Sequence, residues 1–212
     1  MIKIKAVIFD MDGVLIDAKE WHYEALNRAL KLFGYFINRY DHLVTYDGLP
    51  TRRKLEMLSL ERGLPIELHE FINQMKQIYT IREIHDKCKP HFFHENALAK
   101  IKSEGYLLGV ASNSIRQTVE LMMEKSDLLK YLDLMLSNED VIKAKPDPEI
   151  YLEAMKRLEV SPKEVLILED NQNGIKAARK SGAHVLVVKD VSDVNYEKIK
   201  NYIVHVEKGE DV

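Results

Sequence analysis

Ala6-Val7-Ile8-Phe9-Asp10-Met11-Asp12-Gly13-Val14 is the stretch that decides how this chain folds. An apolar run proceeds without a break and stops at two carboxylates spaced two residues apart. Such a run lacks the alternation of a half-exposed strand, so it reads as a strand buried on both faces, as in a parallel sheet. Like charges at the end of a central strand need something to neutralise them. At the carboxyl edge of a parallel sheet, that something is a ligand or a cation.

Further strand-like runs follow at Leu107–Ala111, Leu134–Leu136, Val165–Leu168 and Val185–Val188, alternating with helical patterns. Together with Val7–Phe9 they predict an α/β core, a parallel sheet with helices on its faces. Residues 18–88 interrupt this alternation without a strand-like run. There Leu26, Ala29, Leu30 and Phe33 repeat at helical spacing, as do Leu68, Phe71, Ile72, Met75, Ile78 and Tyr79 after a helix-starting Pro65. The expected organisation is a core of residues 1–17 and 89–212, with a small all-α cap of residues 18–88 inserted after the first strand. Hinges are expected near Ile16–Ala18 and Lys87–Pro90.

Composition narrows the function. Hydrophobic residues make up 46% of the 212 and charged residues 31%, which suits a globular chain rather than a disordered one. No apolar run reaches bilayer length, and no secretory segment is expected, because the first apolar run leads straight into Asp10. A net charge of -3 leaves no electrostatic footprint for nucleic acid. The single cysteine, Cys88, excludes an internal disulfide and fits a reducing, cytoplasmic location.

Four segments are expected just past strands, and so on one edge of the sheet: Asp10-Met11-Asp12-Gly13, Ser112-Asn113-Ser114, Lys145-Pro146-Asp147-Pro148 and Glu169-Asp170-Asn171. Singly, each has a plain structural account. Asp-x-Asp makes turns and caps, the Lys-Pro-Asp-Pro run feeds a helix over Ile150–Leu158, and Glu169-Asp170-Asn171 caps a helix starting near Gly174. Jointly they supply carboxylates for a hard cation, donors for anion oxygens and one amine, an inventory suited to Mg2+ and phosphoryl transfer. Asp10, first after the strand, is placed to attack phosphorus and become an aspartyl phosphate. Asp12 is placed to protonate the leaving alcohol and then deprotonate the incoming water, while its backbone carbonyl joins Asp10 and Asp170 at the metal. Lys145 would hold Asp10 and the phosphate in register, with Ser112 and the Asn113 backbone amide on the phosphoryl oxygens.

These segments resemble, in order, the four motifs of the haloacid dehalogenase superfamily. Asn173-Gly174-Ile175-Lys176-Ala177-Ala178 through Ser181-Gly182-Ala183 is similar to the helix that follows its fourth motif. A helical insert after the first strand resembles the subgroup of β-phosphoglucomutase, phosphoglycolate phosphatase and small sugar-phosphate phosphatases. The resemblance implies a Rossmann-like core with a mobile cap and Mg2+ as cofactor. It carries over Asp10 and Asp12 as catalytic, Ser112, Asn113 and Lys145 as phosphate-binding, and Glu169 with Asp170 at the metal. A phosphatase acting on a small phosphorylated metabolite, a sugar or polyol phosphate, is the leading expectation, in a monomer or weak homo-oligomer. A phosphomutase uses the same motifs, and a non-catalytic phosphate-binding protein is the remaining alternative. Two departures stand out: Pro90-His91-Phe92-Phe93-His94 replaces a Pro-x-Pro-Gly-like turn, and Asn171 stands where relatives often have Ser.

Substrate choice is expected in the cap, since the core sees only phosphate. His22 reads either as a functional residue, hydrogen-bonding substrate or helping to position Asp12, or as a partly exposed helix residue. Arg52, after Gly48-Leu49-Pro50 and a Thr51 expected as N-cap, either grips a distal acidic group or belongs to a solvated arginine pair. Lys76 is a further substrate candidate, although Phe71, Ile72 and Met75 on the opposite face point it toward water. His85, His91 and His94 fit no metal-binding spacing, and Met122-Met123 and the tyrosines read as packing.

Overall fold

The computed structural model describes residues 3–209; the outermost ends of the two expected core segments, residues 1–2 and 210–212, lie outside the described residues. The chain divides into two compact units, one formed by residues 1–17 with 89–212 and the other by residues 18–88.

The first unit holds a five-stranded, all-parallel sheet of β1 (Ala6–Phe9), β2 (Leu107–Ala111), β3 (Leu134–Leu136), β4 (Val165–Glu169) and β5 (His184–Val187), in the order β3-β2-β1-β4-β5. β1 is central, and every one of its residues is buried. Its register sets Phe9 beside Val110 of β2 and Leu168 of β4, so the chain leaves all three strands at one level. Helices α5 (Phe92–Ser103), α6 (Arg116–Lys125), α7 (Glu149–Arg157), α8 (Gln172–Lys180) and α9 (Tyr196–Lys208) complete the unit. Ala6 and Ile8 pack with Leu136, Val165 and Ile167 against Ile150, Tyr151, Ala154 and Met155 of α7 and Ala177 and Ala178 of α8. Alternation turns Val7 and Phe9 to the opposite face, where they are equally buried. Small alanines on α8 let that helix lie close to the sheet, which brings its N-terminus beside the end of β4.

The second unit is helical throughout, with α1 (Lys19–Lys31), α2 (Arg39–Asp41) leading into a π-turn at His42–Tyr46, α3 (Thr51–Arg62) and α4 (His69–Lys87). Ala25, Leu26, Ala29 and Leu30 of α1 share a core with Leu55 and Leu58 of α3 and Ile72 and Tyr79 of α4. Buried Asn27 donates to and accepts from the backbone of Ile37, at 2.9 and 2.8 Å, satisfying a turn that would otherwise bury bare peptide groups.

Three local expectations are corrected. Pro50, not Thr51, is the N-cap of α3, and Thr51 opens the helix; no side chain caps this end. Helix α8 begins at Gln172, ahead of Gly174, because Asn171 caps it by accepting from the Asn173 amide at 2.9 Å. Lys145 is not at a strand exit. The chain passes from β3 through a 3-10 turn at Asn138–Asp140 and a further loop before reaching it.

Candidate active site

Asp10 follows β1, Ser112 follows β2 and Asp170 follows β4, so parallel pairing alone brings three of the four segments together. The ladder continues past the strand ends, with Asp10 N donating to Leu168 O at 3.0 Å and Ser112 N to Leu136 O at 3.0 Å. Lys145, arriving by its loop, is held by a side chain that sequence reasoning missed in this role. Asn113 Oδ1 accepts from Lys145 N at 3.1 Å, and Asn113 Nδ2 donates to Lys145 O at 3.4 Å, so one side-chain amide engages both backbone polar groups of Lys145. The Lys145-Pro146 peptide bond beside it is cis.

The Lys145 ammonium is buried and uses all three of its protons. It donates to Asp10 Oδ1 at 2.6 Å, Ala111 O at 2.8 Å and Glu169 Oε1 at 2.7 Å. Burial opposes its charge, but Asp10 and Glu169 outweigh that and hold its pKa above the ordinary lysine value. Glu169 is saturated as well. Its Oε1 accepts from Lys145 and from the Tyr151 hydroxyl at 2.6 Å, while its Oε2 accepts from the amides of Asp170 at 3.1 Å and Asn171 at 3.4 Å.

Carboxylate oxygens of Asp10, Glu169 and Asp170 all lie within 4.8 Å of one another. Burial raises the Asp10 carboxyl well above the usual range; Glu169 adds to this, Lys145 opposes it, and Asp170 and Asp12 push the same way as Glu169. Such crowding of like charge around one ammonium fits a hard divalent cation, for which carboxylate oxygens are the preferred ligands. Asp10 and Asp170 are the side chains placed to hold one, and Glu169 meets the same cluster with its oxygens already engaged by four donors.

Asp12 does not belong to this cluster through its side chain. Its Oδ2 accepts from Ser114 Oγ at 3.0 Å, and the turn after it closes with Gly13 N donating to Ile16 O at 2.7 Å. Gly13 sits at φ 92°, a left-handed conformation that glycine adopts without strain. Ser112 is buried, and its Oγ accepts from Ser114 N at 3.0 Å.

The helical unit places the other candidates as follows. Lys76 is 7% exposed rather than turned to water, and its Nζ lies 3.3 Å from His22 Nδ1. The moment of α4 is too weak to define a wet face at that position, which is why the pattern misplaced it. Arg52 belongs to a solvated arginine pair: its side chain is 90% exposed and 3.3 Å from Glu56, and that of Arg53 is 60% exposed and 3.2 Å from the same residue. In the sheet unit, His94 Nε2 pairs with Val191 O at 2.7 Å, and Met122 and Met123 are core residues.

Gly174 explains why α8 carries a glycine in its first turn. A Cβ there would stand 1.8 Å from Glu169 Oε1 and 2.3 Å from Oε2. Glu169 is the end of a side chain, but four donors pin it, so it cannot step aside freely. Gly174→Ala is therefore expected to destabilise the fold by about 1–3 kcal/mol, the usual range for overpacking. Equal chemical denaturation midpoints for variant and wild type would show that Glu169 is not fixed as described.

Residues 7–188 match the family model for haloacid dehalogenase-like hydrolases. A phosphorylated carbohydrates phosphatase from Thermotoga maritima is 32% identical over 181 residues, 84% of this chain and 82% of the relative. A pyrophosphatase from Bacillus mycoides is 27% identical over 200 residues, covering 88% and 84% of the two chains. In three dimensions the chain is similar to β-phosphoglucomutase from Clostridium difficile, with a TM-score of 0.82, 22% identity, and coverage of 97% and 99%. A match that runs from β1 past the end of β5, joined to a relative above 30% identity over most of both chains, means that this chain belongs to the haloacid dehalogenase-like hydrolases.

Proposed function

We propose that the protein is a Mg2+-dependent phosphatase that hydrolyses a small phosphorylated metabolite, a sugar or polyol phosphate, through an aspartyl phosphate on Asp10. The observation that carries this reading is the placement of the Asp10 carboxylate, with Oδ1 2.6 Å from a buried ammonium and an oxygen within 4.8 Å of oxygens of two further carboxylates. The 32%-identical phosphatase acting on phosphorylated carbohydrates supports the substrate class.

In this mechanism the free oxygen of Asp10 attacks phosphorus as the ester P–O bond breaks. Asp12 gives its proton to the departing alkoxide. It then takes a proton from water as the water oxygen attacks the phosphoaspartate, freeing inorganic phosphate and restoring the Asp10 carboxylate. Ser112 and the backbone amide of Asn113 bind phosphoryl oxygens, and Lys145 offsets charge between them and Asp10. Asp10, Asp170 and the Asp12 carbonyl would hold Mg2+, which would supply a Lewis acid for the phosphoryl group. Residues 18–88 act as the cap, and His22 with Lys76, already paired, are its best candidates for gripping the rest of the substrate; Arg52 is a weaker one.

A panel of phosphate esters assayed for phosphate release with Mg2+ tests the proposal. Asp12→Ala is expected to accept a phosphoryl group from an activated donor slowly and to lose at least about 100-fold in steady-state turnover, the lower range for a lost acid–base group. Near-normal turnover by that variant would remove Asp12 from the mechanism. Hexose phosphate isomerisation without net phosphate release, in the presence of a sugar bisphosphate primer, would favour a phosphomutase instead.

A further inference from the structure

Tyr151 lies on the apolar face of α7 with Ile150, Ala154 and Met155, a place where leucine or phenylalanine would satisfy packing alone. A fully buried tyrosine must find a partner for its hydroxyl. Here the partner is Glu169 Oε1 at 2.6 Å, and the ring of the same side chain lies 4.8 Å from the Lys145 ammonium. Tyr151 thus touches both members of one buried ion pair. Burial and the negative charge of Glu169 push its pKa well above the ordinary tyrosine value, so it stays a donor.

Lys145 is shared between two carboxylates, and a shared ammonium moves toward the acceptor with the greater unmet demand. The Tyr151 hydroxyl takes up acceptor capacity at Glu169 Oε1, and the amides of Asp170 and Asn171 occupy Oε2. Glu169 so satisfied is a counterion that does not draw Lys145 away from Asp10. We infer that Tyr151 is a positioning residue of the phosphoryl-transfer site, fixing Glu169 so that Lys145 stays seated on Asp10. The inference rests on the reading of Asp10 as nucleophile, but the geometry it asserts is tested separately. Without the hydroxyl, Oε1 keeps Lys145 as its remaining donor, the ammonium shifts toward Glu169, and Asp10 loses its alignment.

Tyr151→Phe removes one oxygen and keeps the ring. Its kcat is expected to fall about tenfold, a loss equal to about 1.4 kcal/mol, while KM stays within about twofold because substrate binding is untouched. In a Glu169→Gln background the same change should cost less than about twofold, because Tyr151 then has no charge to hold. A crystal structure of Tyr151→Phe should show Lys145 Nζ farther from Asp10 Oδ1 than in wild type. Unchanged kcat, or a full additive loss in the Glu169→Gln background, overturns the inference. So does a variant crystal structure with both Lys145 contacts intact, whether or not any ester is turned over. A wild type that hydrolyses no ester, with the shift of Lys145 still seen, would sink the phosphatase reading and spare this one. Should Tyr151→Phe fail to fold, Glu169→Gln carries the test, and a loss of kcat no larger than that of the exposed control Glu120→Gln overturns the inference.

Discussion

Asp10→Asn is expected to abolish phosphate release, with kcat down on the order of 10^4-fold or more, as for other nucleophile replacements, and at the same time to raise the melting temperature of the metal-free protein. Both effects follow from one placement. A carboxamide cannot attack phosphorus, so the proposed phosphoaspartate cannot form. The stability gain follows from the pKa of Asp10, which stands well above 3.8 because of burial first and Glu169 second. A group whose folded pKa is raised supports folding fully below its unfolded value, and that support is lost as pH rises through its folded value. At pH 7.5 in chelator, Asp10 therefore supports the fold less than it does at low pH, and asparagine carries no such loss. Lys145 retains Glu169 and the Ala111 carbonyl in the variant, which limits the loss on its side. The melting gap should close as pH falls toward 4. Added Mg2+ should stabilise wild type more than Asp10→Asn, because Asp10 is one of the ligands proposed for it. A variant that melts below wild type at pH 7.5 in chelator would contradict the crowding described for this site.

This coupling of stability to function shows which parts of the site can be foreseen from sequence. Asp10, Ser112 and the Glu169-Asp170 pair are legible because each follows directly on an apolar run, and parallel strands must release their chains at one edge. The role of Lys145 is legible from its charge, but its route into the site is not, because it lies in a Pro-rich loop rather than at a strand exit. What brings it in is Asn113, whose side-chain amide engages both of its backbone polar groups from a distant segment, a pairing no local spacing announces. Tyr151 is hidden for a different reason. On α7 it satisfies the apolar period like any core residue, and only the tertiary position of Glu169 gives its hydroxyl a task. Gly174 is the reverse case. A glycine in the first turn of a helix is a visible cost, about 1 kcal/mol against alanine, and that cost is the signal that something approaches closely. Lys76 failed because the apolar stripe of α4 is broad and weak, so periodicity could not tell a buried lysine from a wet one.

Lys145→Met is expected to be the most damaging single change to the fold as well as to activity. Removing one partner of a buried ion pair leaves the other charged and unpaired, at a cost of about 3–5 kcal/mol. Here two carboxylates lose the same cation, and the Ala111 carbonyl loses its donor. Methionine matches the stem of lysine, so the loss reports charge and hydrogen bonding rather than volume. Protonation can relieve the stranded carboxylates, so the deficit should be largest at pH 7.5 and shrink toward pH 5, measured by denaturant unfolding at both. Lys145→Arg should fail to rescue either property. Its planar fork cannot direct three donors at Asp10, Glu169 and the Ala111 carbonyl from a slot that leaves lysine 4% exposed. If Lys145→Arg folded and turned over like wild type, the ammonium would be acting as a diffuse positive charge, and the three-point seat that aligns Asp10 would have no role.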